Sequence, residues 1–293
     1  MKTTDIKLVV CDLDHTLLHN NKKISKESAE YLIHLQQRGL KLAVATGRFL
    51  SETEPYIKQL QLAKYGGYAI TSNGTTIHDI RNKTDESFEK LKKEETDSLI
   101  KLGKQFRLNM YVHINDTYYV QGTRILKTIY RLVRIFIPIL RIFLTGRADY
   151  VLYRLSHLKL TSDITSVLDN KDLHKICFIS LTGKLPDFEK EVLRLYSNKY
   201  HFFTVNSVAT ELVHSSVSKK TATQHICRKL NLTMDNVIAF GDSGNDESLL
   251  AAAKIGVTMK NGYKHTVKIA KLLSDKTNNE DGVIDYLRKL KIG

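Results

Sequence analysis

The 293-residue chain is poor in cysteine: Cys11, Cys177 and Cys227 are its only three, widely spaced and without a C-x-x-C pair. That spacing excludes a disulfide framework for a chain of this length and fits a reducing compartment. A signal-peptide core is also lacking. Met1-Lys2-Thr3-Thr4-Asp5-Ile6-Lys7 leads only to a short apolar run before Asp12, with no small-residue cleavage site, so a cytoplasmic protein is expected. Long apolar runs are missing too. The longest, Ile135 to Leu144, is cut by Pro138 and Arg141 and falls short of the roughly 20 residues that a spanning helix needs. No internal repeat at a solenoid period is evident.

What is present is the balance of a soluble globular chain, with 42% hydrophobic and 26% charged residues. The length suggests two compact units or one large one. Lysine and arginine exceed aspartate and glutamate by 14, which points to an anionic partner: nucleic acid, a membrane surface or a phosphorylated small molecule.

Hydrophobic periodicity places strands at Ile6–Cys11, Leu40–Ala45 and Tyr68–Thr71, with a helix between the first two that carries Ala29, Leu32, Ile33 and Leu35 and is capped by Ser25. The C-terminal quarter repeats the rhythm: a helix from about Ser218 to Leu230, a strand Val237–Phe240, a helix from about Asp246 to Ala253 and a strand Ile255–Met259. Both ends read as one doubly wound, parallel-sheet α/β core, 1–82 with 215–293. Between them, 83–214 reads as an α+β insertion, with a charged helix over Glu86–Lys104, strands within Asn109–Val120 and Lys175–Leu181, and a helix over Pro186–Tyr196.

In open α/β sheets ligands bind outside the carboxyl ends of the strands. There the first strand delivers Asp12-Leu13-Asp14-His15-Thr16, the second Thr46-Gly47-Arg48, the third Asn73-Gly74, and Val237–Phe240 delivers Gly241-Asp242-Ser243-Gly244-Asn245-Asp246. Carboxylates gathered in one crevice repel each other unless a hard cation such as Mg²⁺ joins them. A carboxylate beside such a cation is positioned for in-line attack on phosphorus, and a second can shuttle the proton. Taken singly, each motif could also be a solvated turn that caps the next helix.

In this order, with Lys219 between the second and last, the motifs resemble the four of the haloacid dehalogenase superfamily of phosphohydrolases. Ser72-Asn73-Gly74, the insertion, and Asn279-Glu280-Asp281-Gly282-Val283 resemble its Cof-type subfamily with a type IIB cap. The resemblance implies a Rossmannoid core and a small phosphorylated metabolite as substrate. It implies Asp12 as nucleophile, Asp14 as general acid/base, and Thr46, Gly47, Lys219 and Asn245 around the phosphoryl group. Mg²⁺ would be held by the Asp12 carboxylate, the Asp14 main-chain carbonyl and Asp242, with Asp246 supporting through the metal's waters or Lys219, and Asn73 and Arg48 alongside.

The family pattern is broken at His15 and at Lys220, where glycine is usual. His15 could touch the leaving group, close against the cap or merely pack. Arg48 could reach a substrate anion or pair with an acid. Cys11 reads as a small buried strand residue.

Half of the charge surplus lies between Arg124 and Lys159, where Arg124, Lys127, Arg131, Arg134, Arg141, Arg147, Arg154 and Lys159 face one acid, Asp149. Arg124 to Arg134 step by three or four along one helix face, while Ile125, Ile129, Leu132, Val133 and Phe136 supply apolar surface, and Pro138 is expected to kink or end the helix. The expected arrangement packs the apolar side on the inserted sheet and leaves the arginines in water. The alternatives are weak contact with anionic lipid through 124–159 and steering of an anionic substrate. No nucleic-acid-binding pattern accompanies the charge, so no nucleic-acid partner is expected.

These observations converge on a Mg²⁺-dependent phosphatase acting on a sugar phosphate or a phosphorylated cofactor or nucleotide through an aspartyl-phosphate. The competing readings are a phosphomutase or phosphotransferase, and a non-enzymatic surface or regulatory protein that works through the basic helix.

Overall fold

The computed structural model describes residues 5–114, 116–140, 154, 156–169, 171–204 and 208–292. The chain begins with β1 (Leu8–Cys11), α1 (Lys26–Gln37), β2 (Lys41–Ala45), α2 (Leu50–Gln59), α3 (Leu62–Tyr65), β3 (Tyr68–Thr71), β4 (Thr76–Asp79) and β5 (Thr84–Ser87). It continues with α4 (Lys93–Gln105), β6 (Asn109–Ile114), β7 (Thr117–Gln121), α5 (Arg124–Leu140), β8 (Leu158–Thr161), β9 (Ile176–Ile179), α6 (Leu185–Tyr196), β10 (Tyr200–Thr204) and β11 (Ala209–His214). It ends with α7 (Lys219–Lys229), β12 (Val237–Gly241), α8 (Glu247–Ala252), β13 (Ile255–Thr258), α9 (Lys264–Ile269), β14 (Leu272–Leu273) and α10 (Gly282–Lys289). Two compact units result: Met1–Phe88 with Val217–Gly293, and Glu89–Ser216.

The first unit is built on an eight-stranded sheet in the order β14-β13-β12-β1-β2-β3-β4-β5. Strands β14 to β3 run parallel, and β4 and β5 add an antiparallel edge. β1 to β3 are almost wholly apolar, as expected of strands covered on both faces. One face packs Leu32 and Leu35 of α1, Ile57 of α2 and Leu287 of α10 around Val9, Val44 and Phe240. The other packs Ala222 and Ile226 of α7 and Leu249 and Leu250 of α8 around Val10, Ala43 and Ala239. This is the doubly wound α/β core read from the sequence. Ser25 caps α1 as expected, its Oγ accepting from Ser28 N at 2.9 Å. The strand order reverses at β1, which lies between β12 and β2; that is the switch point where such sheets open a crevice.

Two sequence readings change at the edge of this sheet. The residues Glu86 and Ser87, expected to begin a helix, instead end β5, which pairs with β4 in register His78↔Asp85. The helix starts later, at Lys93. Pairing with β4 keeps Thr84–Ser87 in the first unit, so the second begins at Glu89 where the sequence placed the insertion at 83.

The second unit has a six-stranded sheet, β10-β11-β9-β6-β7-β8, antiparallel except for β7 with β8. Leu99 and Ile100 of α4 and Phe188 and Val192 of α6 bury its Met110, Val112, Ile176, Phe178 and Leu212 side. The opposite side carries Tyr111, Lys175 and Glu211; the Lys175 ammonium donates to Glu211 Oε1 at 2.5 Å. The α+β character of the insertion is thus as read.

α5 departs from expectation in its packing and, of the two outcomes expected at Pro138, does not end there. It runs through Pro138 to Leu140. Its apolar side is not packed away, since Ile129, Leu132, Ile135 and Phe136 are all exposed. Arg141, Arg147 and Asp149, and the side chains of Arg124, Ile125 and Arg134, lie outside the described residues.

Candidate active site

The four strands β12, β1, β2 and β3 are neighbours, so their carboxyl ends bring four distant segments together. Asp12 follows β1 directly and its N–H donates to Phe240 O of β12 at 3.0 Å. The turns after β2 and β3 are tied to each other by Asn73 N donating to Thr46 O at 3.0 Å and Ser72 N donating to Arg48 O at 2.9 Å. Ser72 and Asn73 take left-handed backbone, at φ 50° and 61°, which an asparagine tolerates better than most residues. Gly74 follows at φ 103°, and a Cβ there would lie 2.3 Å from Ser218 O. Only glycine lets this turn approach the start of α7.

At the centre is Lys219, the first residue of α7 and fully buried. Its ammonium donates to Asp12 Oδ1 at 2.6 Å and to Asp246 Oδ1 at 2.7 Å. Asp246 Oδ2 accepts from Asp242 N at 3.0 Å and Ser243 N at 3.1 Å. Thr16 Oγ1 donates to Asp242 Oδ1 at 3.2 Å, and Asn245 Nδ2 donates to Asn73 Oδ1 at 2.9 Å. Thr46 is buried and its Oγ1 accepts from Arg48 N at 3.2 Å. The neighbouring lysine, Lys220, is not the buried one, which selects Lys219 from the pair.

Carboxylate oxygens of Asp12, Asp242 and Asp246 lie within 4.8 Å of one another, and all three residues are buried. Against them stands Lys219. Burial, only partly offset by Lys219, pushes the Asp12 carboxyl up to about 7, with Asp246 and Asp14 adding to the rise. Burial and then Asp12 and Asp246 push Asp242 well above the usual range. Burial works against the Lys219 ammonium, but Asp12 and Asp246 outweigh it and hold its pKa above the ordinary value. The pocket therefore carries more buried negative charge than one lysine balances, and oxygen-only donors suit a hard divalent cation. Both Asp246 oxygens are engaged by Lys219 and main-chain N–H groups, whereas Asp12 and Asp242 each spend one oxygen on the contacts above. The fit to a cation thus falls on Asp12 and Asp242, with Asp246 holding Lys219.

Asp14 lies apart from that group. Its carboxylate is paired with Arg48 and with Lys22, whose Nζ donates to Asp14 Oδ1 at 2.6 Å. Of the two readings of Arg48, the structure therefore has it paired with an acid. Lys22 was not singled out from the sequence. It sits in a loop at φ 64°, and no spacing rule connects it to Asp14; only the folded loop does. His15 is exposed at φ 60°, the conformation for which glycine would be the easier residue, and Asn261 Nδ2 donates to its carbonyl at 3.0 Å. Cys11 is buried, and burial with Asp12 beside it holds the thiol protonated.

The chain as a whole is similar to known proteins. The family model for haloacid dehalogenase-like hydrolases matches residues 9–287. A Bacillus subtilis protein named as a phosphatase, YwpJ, is 28% identical over 295 residues, covering 97% of this chain and 100% of its own length. Another B. subtilis protein, YcsE, named as a 5-amino-6-(5-phospho-D-ribitylamino)uracil phosphatase, is 26% identical over 286 residues, covering 97% of this chain and 95% of its own. Among solved structures, a haloacid dehalogenase-like hydrolase from B. subtilis superposes with a TM-score of 0.80 at 25% identity, covering 97% of this chain and 99% of that one.

Proposed function

The chain belongs to the haloacid dehalogenase-like hydrolases, and from this premise we propose that it is a phosphatase that releases phosphate from small phosphomonoesters through a covalent intermediate on Asp12. The observation that carries the reading is the Lys219 ammonium fixed 2.6 Å from Asp12 Oδ1, at a strand end where Asp242 and Asp246 also converge.

Asp12 attacks phosphorus through its carboxylate, the bond from phosphorus to the ester oxygen breaks, and Asp14 gives its proton to the departing oxygen. Asp14 then takes a proton from water, the water oxygen attacks the phosphoryl group, and Asp12 is restored as phosphate leaves. Lys219 offsets charge on the phosphoryl oxygens while anchored by Asp246. Thr46, the Gly47 turn and Asn245 line the place where that group would sit, with Asn73 orienting Asn245. Mg²⁺, held by Asp12, Asp242 and the Asp14 main-chain carbonyl, would supply further charge neutralisation at the phosphoryl oxygens.

Sugar phosphates and phosphorylated cofactors or nucleotides are the substrate group this reading favours. The relative named for a phospho-D-ribitylamino compound acts on a molecule of that general kind. Phosphate release from an aryl phosphate with Mg²⁺ tests the proposal. The wild type is expected to turn over and Asp12→Asn to lose roughly a thousandfold or more; equal rates would overturn the mechanism. With a sugar phosphate as substrate, isomerised sugar phosphate in place of free phosphate would favour a mutase instead.

A further inference from the structure

The exposed face of α5 has no part in the chemistry above, and its composition is unusual for a water-facing surface. Ile129, Leu132, Ile135 and Phe136 are exposed by 44%, 49%, 62% and 51%. Large apolar residues gathered this way mark a contact surface. At 100° per residue, Leu132 and Ile135 project roughly opposite Tyr130, whose hydroxyl anchors the helix by donating to Leu158 O of β8 at 3.0 Å. Ile129 and Phe136 flank them on one side. On the other lie Arg131, one turn before Ile135, and Lys127, one turn before Arg131.

The charged side chains described on α5, Lys127 and Arg131, have one sign, and the sequence around them agrees. Between Asp116 and Asp149 the sequence contains six lysines and arginines and no acid. Beside the helix, a groove of about 750 Å³ between α5 and β8 is lined by Tyr130, Arg131, Ile135, Leu158, Lys159 and Leu160, which adds Lys159 to Arg131 against apolar walls. Among the described residues no helix is long and apolar enough to cross a membrane. An apolar outward face bordered by cations is the pattern of a helix that lies in the plane of a bilayer surface, apolar residues at the acyl boundary and cations at anionic headgroups.

We propose that α5 is a docking surface for an anionic lipid bilayer. A second protein copy would meet the same apolar ridge, but the one-signed charge would set like charges facing each other across a symmetric contact, which favours the lipid.

The full chain is mixed with sedimentable vesicles of phosphatidylcholine alone or with about 30% phosphatidylserine, at roughly physiological salt. The expected result is sedimentation with the phosphatidylserine vesicles at least about fivefold above that with phosphatidylcholine, falling severalfold in about 1 M salt. Leu132→Asp with Phe136→Asp, and separately Lys127→Glu with Arg131→Glu, are each expected to abolish it while leaving the melting temperature unchanged. The conservative pair Lys127→Arg with Leu132→Met should bind as the wild type does. Absence of sedimentation, equal sedimentation with both vesicle types, or binding that survives both double substitutions would overturn the proposal. So would lipid-free self-association lost in Leu132→Asp with Phe136→Asp, which would assign the face to a second copy.

Discussion

Arg48 grips both oxygens of Asp14: Nε donates to Oδ2 and Nη2 to Oδ1, each at 2.6 Å. Such a two-point pairing fixes the carboxylate plane as well as its charge. Burial alone would raise the Asp14 pKa, but Arg48 and then Lys22 outweigh it and hold the carboxyl well below the usual carboxylate range. The group assigned to protonate the leaving oxygen is thus held ionised in the substrate-free protein. On the proposed mechanism the hold of Arg48 and Lys22 must loosen before Asp14 can carry a proton, as competition from an arriving phosphate dianion would do.

On the proposed mechanism Arg48 is a positioning residue, and Arg48→Lys separates geometry from charge. A lysine keeps the positive charge but loses the fork, so Asp14 can turn about its side-chain bonds. Steady-state kinetics with an aryl phosphate should show kcat reduced about tenfold to a hundredfold, with KM changed much less. A change confined to KM would instead make Arg48 a substrate anchor.

Lys219 has a structural duty in addition to its proposed chemical one. Removing one partner from a buried ion pair leaves uncompensated charge and costs about 3–5 kcal/mol. Lys219→Met would leave Asp12 and Asp246 facing each other without their cation. Urea unfolding should show a loss of that size, smaller when Mg²⁺ is present because it would offset Asp12, one of the two carboxylates. Wild-type stability in the variant would mean that the carboxylates relax apart or take up protons at no cost.

Divalent metal should accordingly stabilise the fold as well as serve turnover. At a Mg²⁺ concentration a hundredfold above its dissociation constant the gain is about 2.7 kcal/mol, read as a shift in the urea midpoint between Mg²⁺ and chelator. Asp242→Asn should remove most of that shift, because Asp242 is one of the two carboxylates with an oxygen to offer. An undiminished shift in the variant would move the metal site elsewhere.

The site was legible where chemistry follows directly from a strand end. Asp12, Thr46, Asn73 and Asp242 each sit one or two residues past a buried apolar run, so the parallel-sheet pattern alone gathers them. Lys219 was singled out through the family resemblance, and the structure has it opening α7 behind Ser218, whose Oγ accepts from Thr221 N at 3.1 Å. What escaped depends on loop conformation or on partners remote in sequence. Lys22 reaches Asp14 only through the loop after β1. Glu86 was read as helical because a charged stretch resembles an exposed helix, yet it accepts from the His225 ring at 2.6 Å and from Lys229 on α7, and that tertiary pairing holds it in an edge strand. The face of α5 failed differently: periodicity shows that one side is apolar but not whether anything covers it.

Asp281 gives a test of the acid side of the stability curve. It begins α10 at φ 56°, its Oδ1 accepting from Ser28 Oγ at 2.8 Å and lying 2.9 Å from His19 Nε2. Burial acts to raise its pKa, but hydrogen bonds from Ser25, His19 and Ser28 outweigh this and leave the carboxyl below its ordinary value. A folded-state pKa below the unfolded value, about 3.9, means that the unfolded chain binds the proton first. The stabilisation is therefore complete above the unfolded value and is lost as pH falls through the folded one. Asp281→Asn keeps a residue suited to the left-handed backbone but removes the titration. Urea midpoints taken from about pH 6 down to pH 3 should fall less steeply in the variant than in the wild type, although the variant starts from a lower value at pH 6. Parallel curves would show that the Asp281 contacts hold the protonated and ionised carboxyl equally well.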